Sequence, residues 1–249
     1  ITAYTGTYDG EEHNAIIVGE AAQGYTVKYK AKDATGSDFK ADVPRVKNVA
    51  DCKEITVEVS QEGYKTTTKD FTPTISKAQV TLAIEVASKV YDGTNKATVA
   101  AGTEPFLVGV VKQEAVTVDC SKMKFANAKA EEAKAINFDE VTLIGETNVL
   151  ANYEFQKPTD VKATISKAPL TITGATIETK TYDGGTTATV SKVTFDGLVK
   201  VGESTEELTK DTDYTVEGTF ASSNAGEKVD VTVTVKLSDS SETAKNYTL

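Results

Sequence analysis

The residues best suited to chemistry in this chain are one histidine and several clustered carboxylates. His13 lies beside Glu11, Glu12 and Asn14 and is the single histidine of the sequence. A serine–histidine–aspartate triad needs such a base, yet no Gly-x-Ser-x-Gly motif accompanies it. We therefore interpret His13 as a solvated residue rather than a general base.

Calcium coordination is the second chemistry that the carboxylates could support. Hard oxygen ligands occur in one predicted loop, at Glu203, Glu206, Glu207, Asp211 and Asp213. The regular Asp-x-Asp-x-Asp-Gly spacing is absent, and so are the His and Cys clusters of zinc sites. The sequence predicts no resident metal and no cofactor, with bound calcium as the open alternative.

Composition narrows the classes of function. The 249 residues are 39% hydrophobic and 26% charged, which is typical of a globular chain. The net charge of −10 disfavours nucleic acid, because phosphate binding requires clustered Lys and Arg. No run of 18 apolar residues is present, so we expect no membrane insertion. Phosphate-cradling glycine loops are also missing, and thin domains offer little cleft for paired carboxylates. We expect no enzyme.

The chain is organised by an internal repeat. Tyr-Asp-Gly occurs at Tyr8, Tyr91 and Tyr182, and the last two copies lie 91 residues apart. The segment Ile-Ser-Lys-Ala recurs after 90 residues, and an Asn-Tyr pair near 153 recurs near 247. A period near 90 is too long for a solenoid and indicates whole small domains in tandem.

Alternating apolar and polar residues predict strands through most of the chain. The pattern is clear from Val229 to Leu237, from Ile55 to Val59 and from Val80 to Val86. Short strands with frequent turn residues predict an all-β chain of tandem immunoglobulin-like antiparallel β-sandwich modules. Residues 127–135 have helical propensity, but we predict a loop there with at most one helical turn.

Module boundaries fall at the recurring Ile-Ser-Lys-Ala segments. We predict modules at 1–77, 78–167 and 168–249, in an elongated array, the last stopping short of its end. The segments 74–79 and 164–169 connect modules without a flexible spacer, and Pro169 stiffens the second. Cys52 and Cys120 lie in different modules, so we expect free, buried thiols rather than a disulfide.

The tripeptide itself has a structural interpretation. We expect Tyr to bury its ring at the edge of the module, and Asp to accept hydrogen bonds from amides two residues on. Gly would supply a positive φ. Sugar binding by the Tyr and Asp is the functional alternative.

The second and third modules resemble the YDG-type β-repeat modules of bacterial cell-surface and adhesin-like proteins. The resemblance covers residues 75–249 and depends on the segment Ile-Ser-Lys-Ala, on Tyr-Asp-Gly and on the Asn-Tyr end. The third module also has Thr194-Phe195-Asp196-Gly197-Leu198-Val199 and Asn224-Ala225-Gly226, whereas the second lacks a Gly after Asn127-Ala128. The first module resembles a different, bacterial Ig-like repeat.

This resemblance implies an extracellular or cell-surface location and a non-catalytic stalk that spaces or presents an adhesive domain. The parent protein would connect it to the bacterial cell wall. The alternative is a module that binds a glycan or host protein through Tyr25, Tyr29 or Tyr64, although tyrosines alternating in a strand more often belong to the core. A Lys–Asn isopeptide bond, as in some surface stalks, is left open because no motif selects its residues.

Overall fold

The chain is predominantly β, as its alternating pattern predicts. A computed structural model describes residues 1–20, 24–32 and 38–249. The strands before residue 78 are β1 Thr2–Ala3, β2 Thr5–Thr7, β3 His13–Asn14, β4 Ile16–Ile17, β5 Thr26–Ala31, β6 Arg45–Val46, β7 Ile55–Ser60, β8 Thr67–Phe71 and β9 Thr74–Ser76.

Residues 78–167 and 168–249 are also built from short strands. Between 78 and 167 lie β10 Ala78–Ala83, β11 Lys89–Val90, β12 Phe106–Val108, β13 Thr117–Asp119, β14 Lys124–Phe125, β15 Glu131–Asn137, β16 Thr142–Ile144, β17 Tyr153–Gln156 and β18 Lys162–Ser166. Thereafter come β19 Ala168–Pro169, β20 Thr171–Ile177, β21 Thr187–Ala188, β22 Val190–Asp196, β23 Lys200–Val201, β24 Ser204–Thr205, β25 Tyr214–Phe220, β26 Val231–Leu237 and β27 Tyr247–Thr248.

Among the described residues, helical structure is confined to short pieces. The α-helix α1 spans Thr147–Leu150, and 3₁₀ turns occupy Val49–Asp51, Val111–Gln113 and Ala244–Asn246. In the described ranges no helix is long and apolar enough to cross a membrane.

The described residues form two compact units. The first comprises Ile1–Ile84, Pro105–Cys120 and Val141–Pro158, and the second comprises Glu85–Glu104, Ser121–Glu140 and Thr159–Leu249. The division passes through the second predicted module. The boundaries at 1–77, 78–167 and 168–249 therefore describe the sequence repeat and stay a prediction.

Small sheets build the first unit. Strands pair in the orders β5-β7-β8 and β12-β10-β17, with two-stranded pairs β1-β4, β2-β9, β3-β6 and β13-β16. Its buried core includes Tyr8, Ile16, Tyr29, Val57 and Val80. Ile55 and Val57 are buried on one face of β7, which confirms the alternation read from the sequence.

The second unit has sheets of two to four strands. Strands pair in the orders β11-β18-β15-β14 and β21-β25-β26, with pairs β19-β27, β20-β22 and β23-β24. A core cluster forms around Val190, Val193 and Tyr214. The valines of β26 are half-buried and alternate with exposed threonines, as predicted. Sheets of two to four strands do not by themselves establish an immunoglobulin-like sandwich.

The linkers form extended strands, and they pair in parallel with neighbouring strands. In the first unit, β9 pairs with β2; in the second, β18 pairs with β11. The strand that follows each linker pairs in parallel with the Asn-Tyr end, Ala78 opposite Tyr153 and Ala168 opposite Tyr247. These parallel pairs depart from the purely antiparallel arrangement that was predicted.

The prediction of a loop over residues 127–135 is wrong for its second half. Strand β15 begins at Glu131, and its ladder with β18 shifts register between Glu131 and Lys134. Ala133 has a φ of 49° within this bulge. Pairing with β14 and β18 supplies backbone hydrogen bonds that outweigh the local helical propensity of the alanines.

Candidate functional site

The three Tyr-Asp-Gly turns share one local geometry. Each Asp carboxylate accepts a hydrogen bond from the backbone amide two residues later, at 2.8 Å for Asp9, 2.9 Å for Asp92 and 2.9 Å for Asp183. The glycines have φ values of 72°, 76° and 77° at 10, 93 and 184. The predicted roles of Asp and Gly are therefore confirmed in all three copies.

The tyrosines of these turns differ in burial. Tyr8 and Tyr91 are only 4% and 6% exposed, as predicted, but Tyr182 is 68% exposed. The expected burial of the ring is wrong for the third copy. The physical reason lies in the residues that cover the first two rings, because those residues come from the following repeat.

A tyrosine–glutamate cluster covers the first turn, within the first unit. The Tyr8 hydroxyl donates to Glu114 Oε1 at 2.6 Å, and the Tyr153 hydroxyl donates to Glu114 Oε2 at 2.6 Å. The two rings meet edge to face, with centroids 5.6 Å apart. The Tyr153 oxygen also accepts the Val111 amide at 2.9 Å. One carboxylate thus joins a tyrosine of the first segment to one of the second.

The second unit contains the same cluster one period later. Tyr91 donates to Glu206 Oε1 at 2.9 Å, and Tyr247 donates to Glu206 Oε2. The rings are 5.7 Å apart and again edge to face. Tyr247 accepts the Val199 amide at 2.9 Å. Recurrence of every contact shows that the arrangement belongs to the repeat and not to one site.

Burial and hydrogen bonding hold these phenols in the protonated state. Loss of solvent and then the bond to Glu114 raise the pKa of Tyr153 to about 12. Burial, followed by a hydrogen bond to the same kind of carboxylate, also raises the pKa of Tyr8, Tyr91 and Tyr247. The phenols act as hydrogen-bond donors, and their chemistry here is structural.

The asparagine of each Asn-Tyr end adds a second connection. Asn152 is 1% exposed, and its Oδ1 accepts the Val49 amide at 2.9 Å. Asn246 is 4% exposed and accepts the Ala130 amide at 2.9 Å. The acceptor in each case comes from one repeat and the donor from the repeat before it. We call the region of contact between two successive repeats a joint. Each of the two joints is therefore stabilised both at the turn and at a neighbouring loop.

Close packing at the turn glycines accompanies the two clusters. A methyl group at Gly10 would lie 3.1 Å from Val111 Cγ1, and one at Gly93 would lie 2.7 Å from Val201 Cγ2. Within the described chain, nothing lies within 4 Å of the same position at Gly184. The third turn is thus formed but uncovered.

A cavity lies beside this uncovered turn. Its volume is about 150 Å³, and its lining includes Tyr182, Asp183, Ser223, Asn224 and Gly226. The turn at 222–227 corresponds in the repeat to the loop that contains Ala130. The third repeat therefore has a Tyr-Asp-Gly turn and a facing loop next to each other. The equivalent turn and loop of the second repeat make the contacts of the second joint.

His13 is a partnered residue and not a freely solvated one. Its ring stacks on Tyr4 with centroids 4.3 Å apart, and Nε2 lies 3.0 Å from Asp9 Oδ1. The His13 contact, followed by the amide of Glu11, lowers the pKa of the Asp9 carboxyl. His13 pairs with the Asp of the first turn from four residues after it, whereas Lys89 and Lys180 pair with Asp92 and Asp183 from three residues before them.

Two of the five carboxylates considered for calcium, Glu206 and Asp213, are engaged in other contacts. Glu206 binds the two tyrosines, and Asp213 accepts the Thr209 amide at 2.7 Å and the Ser241 hydroxyl at 2.5 Å. Across the residues that the structure describes, no three His, Cys, Asp or Glu side chains are grouped to hold a metal.

The three tyrosines considered for ligand binding differ in their exposure to solvent. Tyr29 is 4% exposed and belongs to the core of the first unit, whereas Tyr25 and Tyr64 are 47% and 74% exposed. Only the latter two present a surface to a ligand. Cys52 and Cys120 are both free and partly buried.

One lysine–asparagine pair has the residue types of an isopeptide bond. Lys134 is 2% exposed, and its Nζ donates to Asn127 Oδ1 at 2.6 Å. The adjacent carboxylate, Glu131 at 3.3 Å, is 60% exposed and therefore lacks the burial that such a reaction requires. We interpret Lys134 as a structural residue that closes the loop before β15.

The role of Glu114 and Glu206 as acceptors for two tyrosines is the functional feature that was not predicted from the sequence. The two residues lie 92 residues apart, close to the period of the repeat, and Val111 and Val199 lie a similar distance apart. This near-periodic spacing is the signal in the sequence that relates the two glutamates.

Comparison with known proteins agrees with the repeat. The sequence model described as the YDG domain matches residues 76–160 and 166–249. No curated protein sequence matches the chain. The two matched segments cover more than half of the sequence and contain Glu114, Tyr153, Glu206 and Tyr247. The chain belongs to the YDG domain family.

Proposed function

We propose that this chain is a non-catalytic repeat region of a bacterial cell-surface or secreted protein, in which it spaces or presents an adhesive domain. The recurring tyrosine–glutamate cluster carries this proposal. A spacer needs fixed joints between successive repeats, and both clusters use one carboxylate to hold tyrosines from two repeats. We also propose immunoglobulin-like sandwiches for the modules and a divergent Ig-like origin for the first.

The energetics of the clusters favour a stiff joint. Hydrogen bonds to a charged acceptor stabilise by about 1.5–3 kcal/mol each, more than neutral ones. Each cluster has two such bonds, an aromatic contact and an amide bond, all partly shielded from water. Bending a joint would break several of them together, so each joint resists hinge motion.

The surface charge disfavours two classes of partner. A net charge of −10 keeps the chain soluble and repels nucleic acid and anionic lipid. We propose an extracellular location, with attachment to the cell wall through the parent protein.

Distance measurement across the second joint tests the spacer proposal. Lys122 and Lys192 are both exposed, and both lie in the second unit. Spin labels at these two positions report the distance across the second joint, in a protein whose Cys52 and Cys120 have been replaced by Ser. We expect a narrow distance distribution that broadens in Glu206→Gln. A broad distribution in the starting protein would contradict a fixed joint.

Recognition of a glycan or host protein is the second candidate, favoured by the exposure of Tyr64 and Tyr25. A screen against glycans, peptidoglycan and host matrix proteins tests it with the intact chain and with Tyr64→Ala. Saturable binding that is lost in a folded Tyr64→Ala variant would replace the spacer proposal. Absence of binding by folded protein favours the spacer.

A further inference from the structure

We propose that the third Tyr-Asp-Gly turn and the facing loop at 222–226 form a docking surface for a further YDG domain. The partner is defined by chemistry: a glutamate and an Asn-Tyr pair arranged as in the two clusters of this chain. The proposal deepens the spacer function and rests on it.

The two covered turns show what the partner must supply. Both receive a carboxylate that accepts the turn tyrosine, a second tyrosine edge to face with the first, and an asparagine for the facing loop. All these groups come from the next repeat along the chain. A YDG domain that follows the third repeat in the same polypeptide would carry the same set.

The third turn is already shaped to receive them. Lys180 lies 2.8 Å from Asp183 and donates to the carbonyl of Gly185 at 3.1 Å, just as Lys89 bonds Asp92 and the carbonyl of Thr94. The Gly184 φ of 77° matches Gly93 at 76°. A preformed turn loses little conformational entropy on docking, which favours association.

The third turn differs from the other two because no glutamate and second tyrosine cover its own tyrosine within the described residues. Tyr182 is 68% exposed where its counterparts are 4% and 6% exposed. In the described part of the chain its hydroxyl has no hydrogen-bond partner. The adjoining cavity, lined by Asn224 and Gly226, lies where the asparagine and tyrosine of a partner would enter. An exposed aromatic ring beside a preformed polar loop fits this partner in shape and in hydrogen bonding.

The test extends the chain by one repeat. Tyr153 and Tyr247 are equivalent, so repeating residues 156–249 after Leu249 continues the sequence in register. Tyrosine nitration, read by mass spectrometry, measures the exposure of Tyr182 in the original and extended chains. A matched extended chain carries Glu206→Gln in the added repeat only, and amide NMR confirms that the added repeat is folded.

We expect nitration of Tyr182 to fall by about tenfold or more in the extended chain, and to recover in the matched variant. Unchanged nitration beside a folded added repeat would overturn the proposal. Protection of Tyr182 in the original chain that grows with protein concentration would also overturn it, by indicating a second copy of this chain. Protection by a glycan would do the same. None of these results depends on the second joint. The spacer proposal is tested separately, by the distance between spin labels across that joint.

Discussion

Replacing Glu206 with Gln tests the central cluster most directly. The carboxylate accepts from both Tyr91 and Tyr247, whose side chains are 6% and 1% exposed. Gln keeps one neutral acceptor oxygen and places an NH₂ group against the other phenol, so one charge-assisted bond is lost and the second is weakened. Each such bond stabilises by about 1.5–3 kcal/mol, and water reaches the half-buried Glu206 in part. We expect a loss of about 2–4 kcal/mol in the free energy of unfolding.

Denaturant unfolding at neutral pH measures this loss, with Glu207→Gln as the matched control. Glu207 is the exposed neighbour, and a change there should stay within about 0.5 kcal/mol. A double-mutant cycle with Tyr91→Phe should give a coupling energy of about 1–2 kcal/mol between Tyr91 and Glu206. If Glu206→Gln costs no more than Glu207→Gln, the carboxylate does not hold the two repeats together.

Three further predictions follow from the same joints. Gly93→Ala should cost about 2–4 kcal/mol, because it adds a clash with valine to the strain of a positive φ, whereas Gly184→Ala carries the strain alone, about 1–2 kcal/mol. Asn246→Ala should cost about 1–3 kcal/mol by leaving the Ala130 amide unpaired, measured by denaturant unfolding. Stability should fall above about pH 10, where tyrosines of the unfolded chain ionise while Tyr153, with a pKa of about 12, keeps its proton when folded.

Each of these has its own control. Equal costs at Gly93 and Gly184 would show that the valine contact is unimportant. For Asn246→Ala, amide exchange at Ala130 should rise more than at distant amides of the same unit. For the pH dependence, Tyr153→Phe should flatten the alkaline loss, while Tyr64→Phe, at an exposed ring, should leave it unchanged; the same slope in both would refute the assignment.

The fold class and the turn chemistry could be predicted from the sequence because they are local. Alternation in β7 and β26 reports one buried face, and an Asp-Gly pair dictates its own turn. The strand β15 could not be predicted, because its residues favour a helix locally and only pairing with β14 and β18 decides the outcome. Sequence pattern carries no information on which strands will pair at that distance.

Only the tyrosines and asparagines of the site could be predicted from the sequence, and not the glutamates. Tyr8, Tyr91 and the Asn-Tyr ends stand out by recurrence, but their partners Glu114 and Glu206 are two among 37 acidic residues. The mistaken burial of Tyr182 has the same origin. Burial of the turn tyrosine depends on the next repeat, and a rule taken from one turn cannot include the residues that cover it.

The division of each cluster between two repeats has an evolutionary consequence. Each turn presents the same groups to its successor, and each glutamate and Asn-Tyr end presents the same groups to its predecessor. Recombination that removes or duplicates one whole period therefore leaves every remaining joint with a matched partner. Such an exchange would need no compensating substitution in the cluster, whereas one that adds or removes part of a period would separate a carboxylate from its tyrosine.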